Sequence, residues 1–122
     1  MREIKFSHDA FSAILAGKIR LTVRKHREWI HDLKVGEVFL GHFGENDGCV
    51  LLLAATGNSE QICFSELPRI IAKEAGYAGP KTLFKQLQKK HYPGLLPTDI
   101  AAVIRFRILK TPTGEFLWKP SK

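Results

Sequence analysis

Lys18-Ile19-Arg20-Leu21-Thr22-Val23-Arg24 alternates strictly between polar and apolar residues. A half-buried β-strand needs that period of two, because successive side chains point to opposite faces. Ile19, Leu21 and Val23 are expected to face a core, and Lys18, Arg20, Thr22 and Arg24 to share the other face. Three cations on one strand face repel one another unless something anionic or acidic lies opposite. The segment therefore predicts a strand and, on its polar side, an anion site.

Working outward, residues 3–6 read as a short strand and Ser7 as the N-cap of a helix. Phe6 and Phe11 have the spacing of a hydrophobic staple, and Phe11, Ile14 and Leu15 form an apolar stripe. Gly17 suits the left-handed position that ends such a helix. Residues 25–33 read as a loop or a helical turn. Residues 38–43 and 49–56 flank the turn Glu45-Asn46-Asp47-Gly48, a β-hairpin pattern, and a strand resumes at 61–64. A helix is expected over 65–75, capped by Ser65, with Pro68 in its first turn and Gly76 closing it. Gly79-Pro80 opens another, which ends at Tyr92-Pro93-Gly94. Residues 100–109 are the strongest strand: Ala102, Ile104, Phe106 and Ile108 face one way, and Val103, Arg105 and Arg107 the other. Phe116-Leu117-Trp118 reads as an edge strand after the Thr113-Gly114 turn. Five or six strands and three helices without βαβ alternation predict an α+β fold, an antiparallel barrel-like sheet with helices packed at one side.

The chain has 122 residues, enough for one domain spanning 1–122 with its own core. Its 19 Lys and Arg against 12 Asp and Glu give a net charge of +7, and the pI is about 9.7. That charge is unevenly placed. Residues 1–35 carry +4, residues 36–67 carry −5 and residues 68–122 carry +8. A basic–acidic–basic layout suits a cleft more positive than the average, although Lys81, Lys85, Lys89 and Lys90 also fit a solvated helix surface. No run approaches a membrane span, and no apolar stretch of the secretory kind follows Met1, so a cytoplasmic protein is expected. Cys49 and Cys63 read as reduced, buried, small apolar residues, with a disulfide or a redox role as alternatives. The five His residues form no metal pattern, there is no Walker or GxGxxG loop, and no cofactor is expected.

Several pieces, taken in order, bear a family likeness. Residues 14–24 contain Gly17, Thr22 and Arg24 at the spacing Gly, any, Lys, two of any kind, Glu or Thr, any, Arg. This resembles the signature of ASCH domains, small proteins with a fold related to the PUA domain. Lys34-Val35-Gly36-Glu37, Phe64-Ser65-Glu66-Leu67, His91-Tyr92-Pro93-Gly94 and Val103-Ile104-Arg105-Phe106 are similar in order and spacing, so the likeness covers roughly 6 to 109. The resemblance implies a PUA-like β-barrel, a cleft between barrel and helices, and a role in RNA metabolism. Some members are amidohydrolases that deacetylate N4-acetylcytidine, and others are linked to binding or cutting RNA. The amidohydrolase set would fall on Thr22 and, from the middle helix, Glu74. The lysine position holds Ile19, a departure that leaves Lys18, one residue earlier, as the candidate.

Three functional readings follow. In the first, the protein binds RNA or a nucleotide, with Lys18, Arg20, Arg24, Arg105 and Arg107 holding phosphate. Trp29, Tyr92 or Trp118 would stack a base, unless they serve as core or rim packing. For Arg24, a structural ion pair with Glu74 or Glu66 is the rival assignment. In the second, the protein hydrolyses an acylated nucleoside, with Thr22 as nucleophile, Lys18 or Glu74 as base and Arg24 as anion stabiliser. In the third it is a small ribonuclease using His26, Glu28 and His31.

Overall fold

A computed structural model of the chain describes residues 2–7, 9–27, 32–44 and 49–110, the side chains of Cys49 and Lys110 excepted. The elements are β1 (Arg2–Phe6), α1 (Ala10–Leu15), β2 (Leu21–Lys25), β3 (Val38–Phe43), β4 (Cys49–Ala55), β5 (Glu60–Cys63), a 3-10 turn (Phe64–Glu66), α2 (Arg69–Glu74), α3 (Pro80–Lys90) and β6 (Ile100–Lys110). The turn at 45–48 and the strand expected at 116–118 lie outside the described residues, as do Glu28, Trp29, His31 and Trp118.

The longest strand organises the sheet. The order is β1-β3-β4-β6-β2, with β5 also on β6. Along its length β6 changes partners. Its first half pairs with β2 and β5, and its second half, from Phe106, pairs with β4. A strand that hands over partners in this way curls the sheet into a half-barrel. The sheet is mixed rather than wholly antiparallel, because β1 runs parallel to β3. The long crossover through α1 and β2 permits this, since parallel neighbours need a connection of a dozen or more residues.

Alternate residues of β6 feed two cores. Ile104 and Phe106 join Ile4, Phe6, Phe39, Phe43 and Leu53 inside the half-barrel. Ala101 and Val103 join Leu21, Val23, Phe64, Ile71, Leu83 and Leu87 beneath α2 and α3. The aromatic staple works through a third ring: Phe43 stacks on Phe6 at 4.7 Å and takes the edge of Phe11 at 5.3 Å.

Three expectations about element boundaries are corrected. Helix α1 begins at Ala10, not after Ser7; Ser7 contributes its carbonyl to the Ala10 N–H at 3.1 Å, and the cap position, Asp9, makes no side-chain cap bond. The helix expected over 65–75 is split. Pro68 has no N–H to donate and forces the residue before it out of the helical region, so Leu67 is extended (φ −66°, ψ 123°) and α2 starts only at Arg69. The strand expected over 18–24 begins at Leu21, so Lys18, Ile19 and Arg20 sit in the turn that leaves α1. Its two faces are also not core and solvent. Leu21 and Val23 pack into the second core, while Thr22 and Arg24 pair with Ile104 and Ala102 and turn toward the half-barrel side. Thr22 is 9% exposed.

Candidate functional site

The turn after α1 is held at both ends. Gly17 adopts φ +77°, which lets the Lys18 and Ile19 N–H groups both donate to the Ala13 carbonyl at 2.9 and 3.3 Å. At its far end the Arg20 carbonyl accepts the Phe106 N–H at 2.9 Å. Beside it, the Arg105 carbonyl accepts the Thr56 N–H at 2.9 Å. The place where β6 passes from β2 to β4 therefore becomes a notch with fixed walls.

That notch is a cleft of about 830 Å³. Lys18 and Arg20 line it from the turn, Arg105 and Arg107 from β6, and Glu74 from the end of α2. Its apolar floor includes Ile14, Leu15, Ile19 and Ile108. Leu15, expected in the core, is 43% exposed here. Four cations thus face one carboxylate. Arg105 is already engaged, with Glu60 at 2.9 Å and Glu74 at 3.9 Å. Arg20 Nε donates to the Gly17 carbonyl at 3.2 Å, which steadies the side chain without neutralising it. Among the described residues, Lys18, Arg20 and Arg107 have no carboxylate within ion-pair distance. Of the cations expected to hold an anion, the fold brings Lys18, Arg20, Arg105 and Arg107 together and sends Arg24 elsewhere.

Arg24 lines a second, smaller cavity of about 70 Å³ between α1, β2 and the helices, together with Thr22, Tyr77 and His91. Its guanidinium lies 4.8 Å from the centre of the Phe6 ring, and its Nε donates to Thr22 Oγ1 at 3.0 Å. Burial pushes the guanidinium below the usual arginine range, and contacts with Tyr92 and then Tyr77 oppose that push. Neither Glu74 nor Glu66 pairs with it; Glu74 turns to Arg105 instead. His91 is pushed below the ordinary histidine range by burial first, then by the charges of Arg24 and Lys90. Tyr92 packs against the second core.

Ile19 divides the two cavities and lines both. It packs so closely on Gly76 that a Cβ there would lie 2.8 Å from Ile19 Cδ1. On its two sides, Lys18 and Glu74 line the large cleft and Thr22 lines the small one. The fold does not place the three expected catalytic residues in one cavity. His26 is bound to Asp32 at 3.0 Å, and this hydrogen bond, ahead of the other causes, lowers the Asp32 pKa. Cys63 is free, with Sγ 3.3 Å from Ser65 Oγ and 3.3 Å from the Pro97 carbonyl. Among the described residues no His, Cys, Asp and Glu cluster could hold a metal, and no helix is long and apolar enough to cross a membrane.

A curled mixed sheet forming a half-barrel, with three helices against it, is an α+β fold of the PUA-like class. Within that class the chain has an ASCH-type fold. It superposes on a protein from Enterococcus faecalis V583 described under the family DUF984, with a TM-score of 0.66 and 12% identity over 97% of this chain and 86% of that one. It also matches the hypothetical protein PH0355 (TM-score 0.59, 17% identity, 89% and 100% covered). An ASCH domain from Lactobacillus crispatus JV V101 matches with a TM-score of 0.56 and 16% identity, over 88% and 78% of the two chains. No protein-family model matches the chain, and no curated protein does. At these identities the likeness speaks for the fold, and function has to be argued from the site.

Proposed function

We propose that the large cleft binds RNA, or a nucleotide, through its phosphates. The observation that carries this reading is the convergence of Lys18, Arg20 and Arg107, from two separate elements, without a neutralising carboxylate among the described residues. Guanidinium forks hold phosphate oxygens bidentately, and an ammonium adds a movable point charge. The apolar floor of Ile14, Leu15 and Ile19 gives a base or ribose a surface to cover. Glu74 can accept hydrogen bonds from a base edge, while its tie to Arg105 keeps it oriented.

Acyl-nucleoside hydrolysis has less beneath it. Thr22 Oγ1 already accepts a bond from Arg24, and Ile19 stands between that hydroxyl and Lys18. The test of the binding reading is to titrate the isotope-labelled protein with a short single-stranded RNA and follow its amide resonances. Shifts should concentrate at residues 17–20, Thr56 and 105–108. Shifts confined to other parts of the surface, or none at low salt, would overturn it.

A further inference from the structure

A second recess, about 690 Å³, lies on the other side of α2, between the 3-10 turn, the start of α3 and the loop at Pro97. Its floor is apolar and aromatic. Phe64 and Phe84 meet edge to face at 5.8 Å, flanked by Pro80 and Pro97. Its rim is basic, with Arg69 from α2 and Lys81 and Lys85 one turn apart on α3. No acidic residue lines it, and among the described residues none of these three cations has a carboxylate within ion-pair distance.

The helix between the two recesses connects them. Arg69, at the start of α2, lines the groove, and Glu74, at its end, lines the cleft. The exposed side of α2 is one ridge: Arg69 and Lys73 are four residues apart, and so are Ile70 and Glu74. Ile70 is 66% exposed, an apolar side chain that neither core uses. The ridge is about 7.5 Å long at the usual helical rise. A stacked strand advancing about 3.4 Å per nucleotide crosses it in two or three steps.

We propose that the cleft and the groove are two ends of one track for single-stranded RNA, about five nucleotides long. Phosphates bind in the cleft, the strand crosses the ridge of α2 over Ile70 and Lys73, and a further nucleotide rests on the Phe84 side of the groove with its phosphate at Arg69, Lys81 and Lys85. The inference rests on the cleft being the RNA site. Charge complementarity and the aromatic floor together favour RNA as occupant, because bases stack on aromatic faces whatever their identity while cations follow the backbone.

The experiment measures binding of the full chain to labelled oligouridylates of two to eight nucleotides at low salt. Three proteins are compared: the wild type, Lys81→Glu/Lys85→Glu, and Arg20→Glu/Arg107→Glu. All four changes are at exposed or half-exposed positions, and circular dichroism checks each fold. For the wild type, affinity should rise on the order of tenfold between two and five nucleotides and then level off. The groove variant should bind the dinucleotide like the wild type and lose that rise. Its slope of affinity against salt on the longer RNA should fall by about 1.4, for two phosphate contacts. The cleft variant should lose binding at every length. A wild-type affinity flat beyond the dinucleotide, with the cleft variant still defective, would overturn the track and leave the cleft standing. Absence of RNA binding at every length would overturn both. Equal displacement of the pentanucleotide from the wild type and the groove variant by an oligoglutamate of the same charge would also count against the track.

Discussion

Arg20 and Arg24 stand four residues apart on one short segment, yet they occupy opposite kinds of environment. Arg20 is exposed in a broad cleft among other cations, tied only to the Gly17 carbonyl. Arg24 lies in a cavity less than a tenth as large, over the Phe6 ring and against Thr22. A solvated cation can exchange counterions for phosphate at little cost. A desolvated one has lost that freedom, and its charge acts on its neighbours instead, as the lowered pKa of His91 shows. The alternation that made the segment legible as a strand treats the two arginines as equivalent. The fold separates them because the strand begins at Leu21, leaving Arg20 in a turn and Arg24 inside a seam.

That difference can be broken or sharpened by substitution. The largest effect is expected on the open side. Arg20→Glu/Arg107→Glu should weaken single-stranded RNA binding about a hundredfold at low salt, close to 2.7 kcal/mol. Thermal unfolding should scarcely change, and anisotropy titrations beside a melting curve check both. On the closed side the pattern should invert. Arg24→Ala should lower stability by about 2–3 kcal/mol, because it empties the seam and strips Thr22 of its partner. Arg24→Met, which refills the space without a charge, should recover most of that loss. Chemical denaturation of the two variants decides it, and equal losses would show that charge rather than packing holds the seam.

The wall between the cavities gives the next effect. Gly76→Ala puts a Cβ 2.8 Å from Ile19 Cδ1 at a residue with φ +98°. It should cost about 1–2 kcal/mol and blunt RNA binding only through the displacement of Ile19. The smallest effect is in pH. The folded-state pKa of His91 is depressed, so its contribution to stability is complete above its unfolded value and is lost as pH falls through the folded one. His91 is largely exposed, so the change should be about 1 °C in melting temperature between pH 7.5 and 5. It should vanish in His91→Gln and shrink in Arg24→Met, where one of its two charge neighbours is gone.

The strands and their partners were largely legible in the sequence, because hairpin turns and period-two alternation are local signals. The two faces of β6 were legible in the same way, and they delivered Arg105 and Arg107 to the cleft as read. The limits of local signals are equally specific. A proline inside an apolar stripe was read as tolerated, whereas Leu67 had to leave the helix and shortened α2 to Arg69–Glu74. Leu15 and Ile108 looked like core residues, and only the handover of β6 from β2 to β4 turned them into the floor of the cleft. The pairing of Arg105 with Glu60 had no sequence signal at all, since it spans 45 residues. The groove below α3 depends on three elements meeting, and its lysines read simply as a solvated face.

The central claim is that the open cleft holds phosphate and the closed cavity does not. The salt dependence of RNA binding tests this most directly, measured with one short single-stranded RNA on the wild type, Arg20→Glu/Arg107→Glu and Arg24→Met. The wild type should show log affinity falling linearly with log salt, with a slope near −2 for about three phosphate contacts. Arg24→Met should keep that slope, and the cleft variant should lose most of it. A wild-type affinity that does not change with salt, or a slope that falls in Arg24→Met and persists in the cleft variant, would contradict the account.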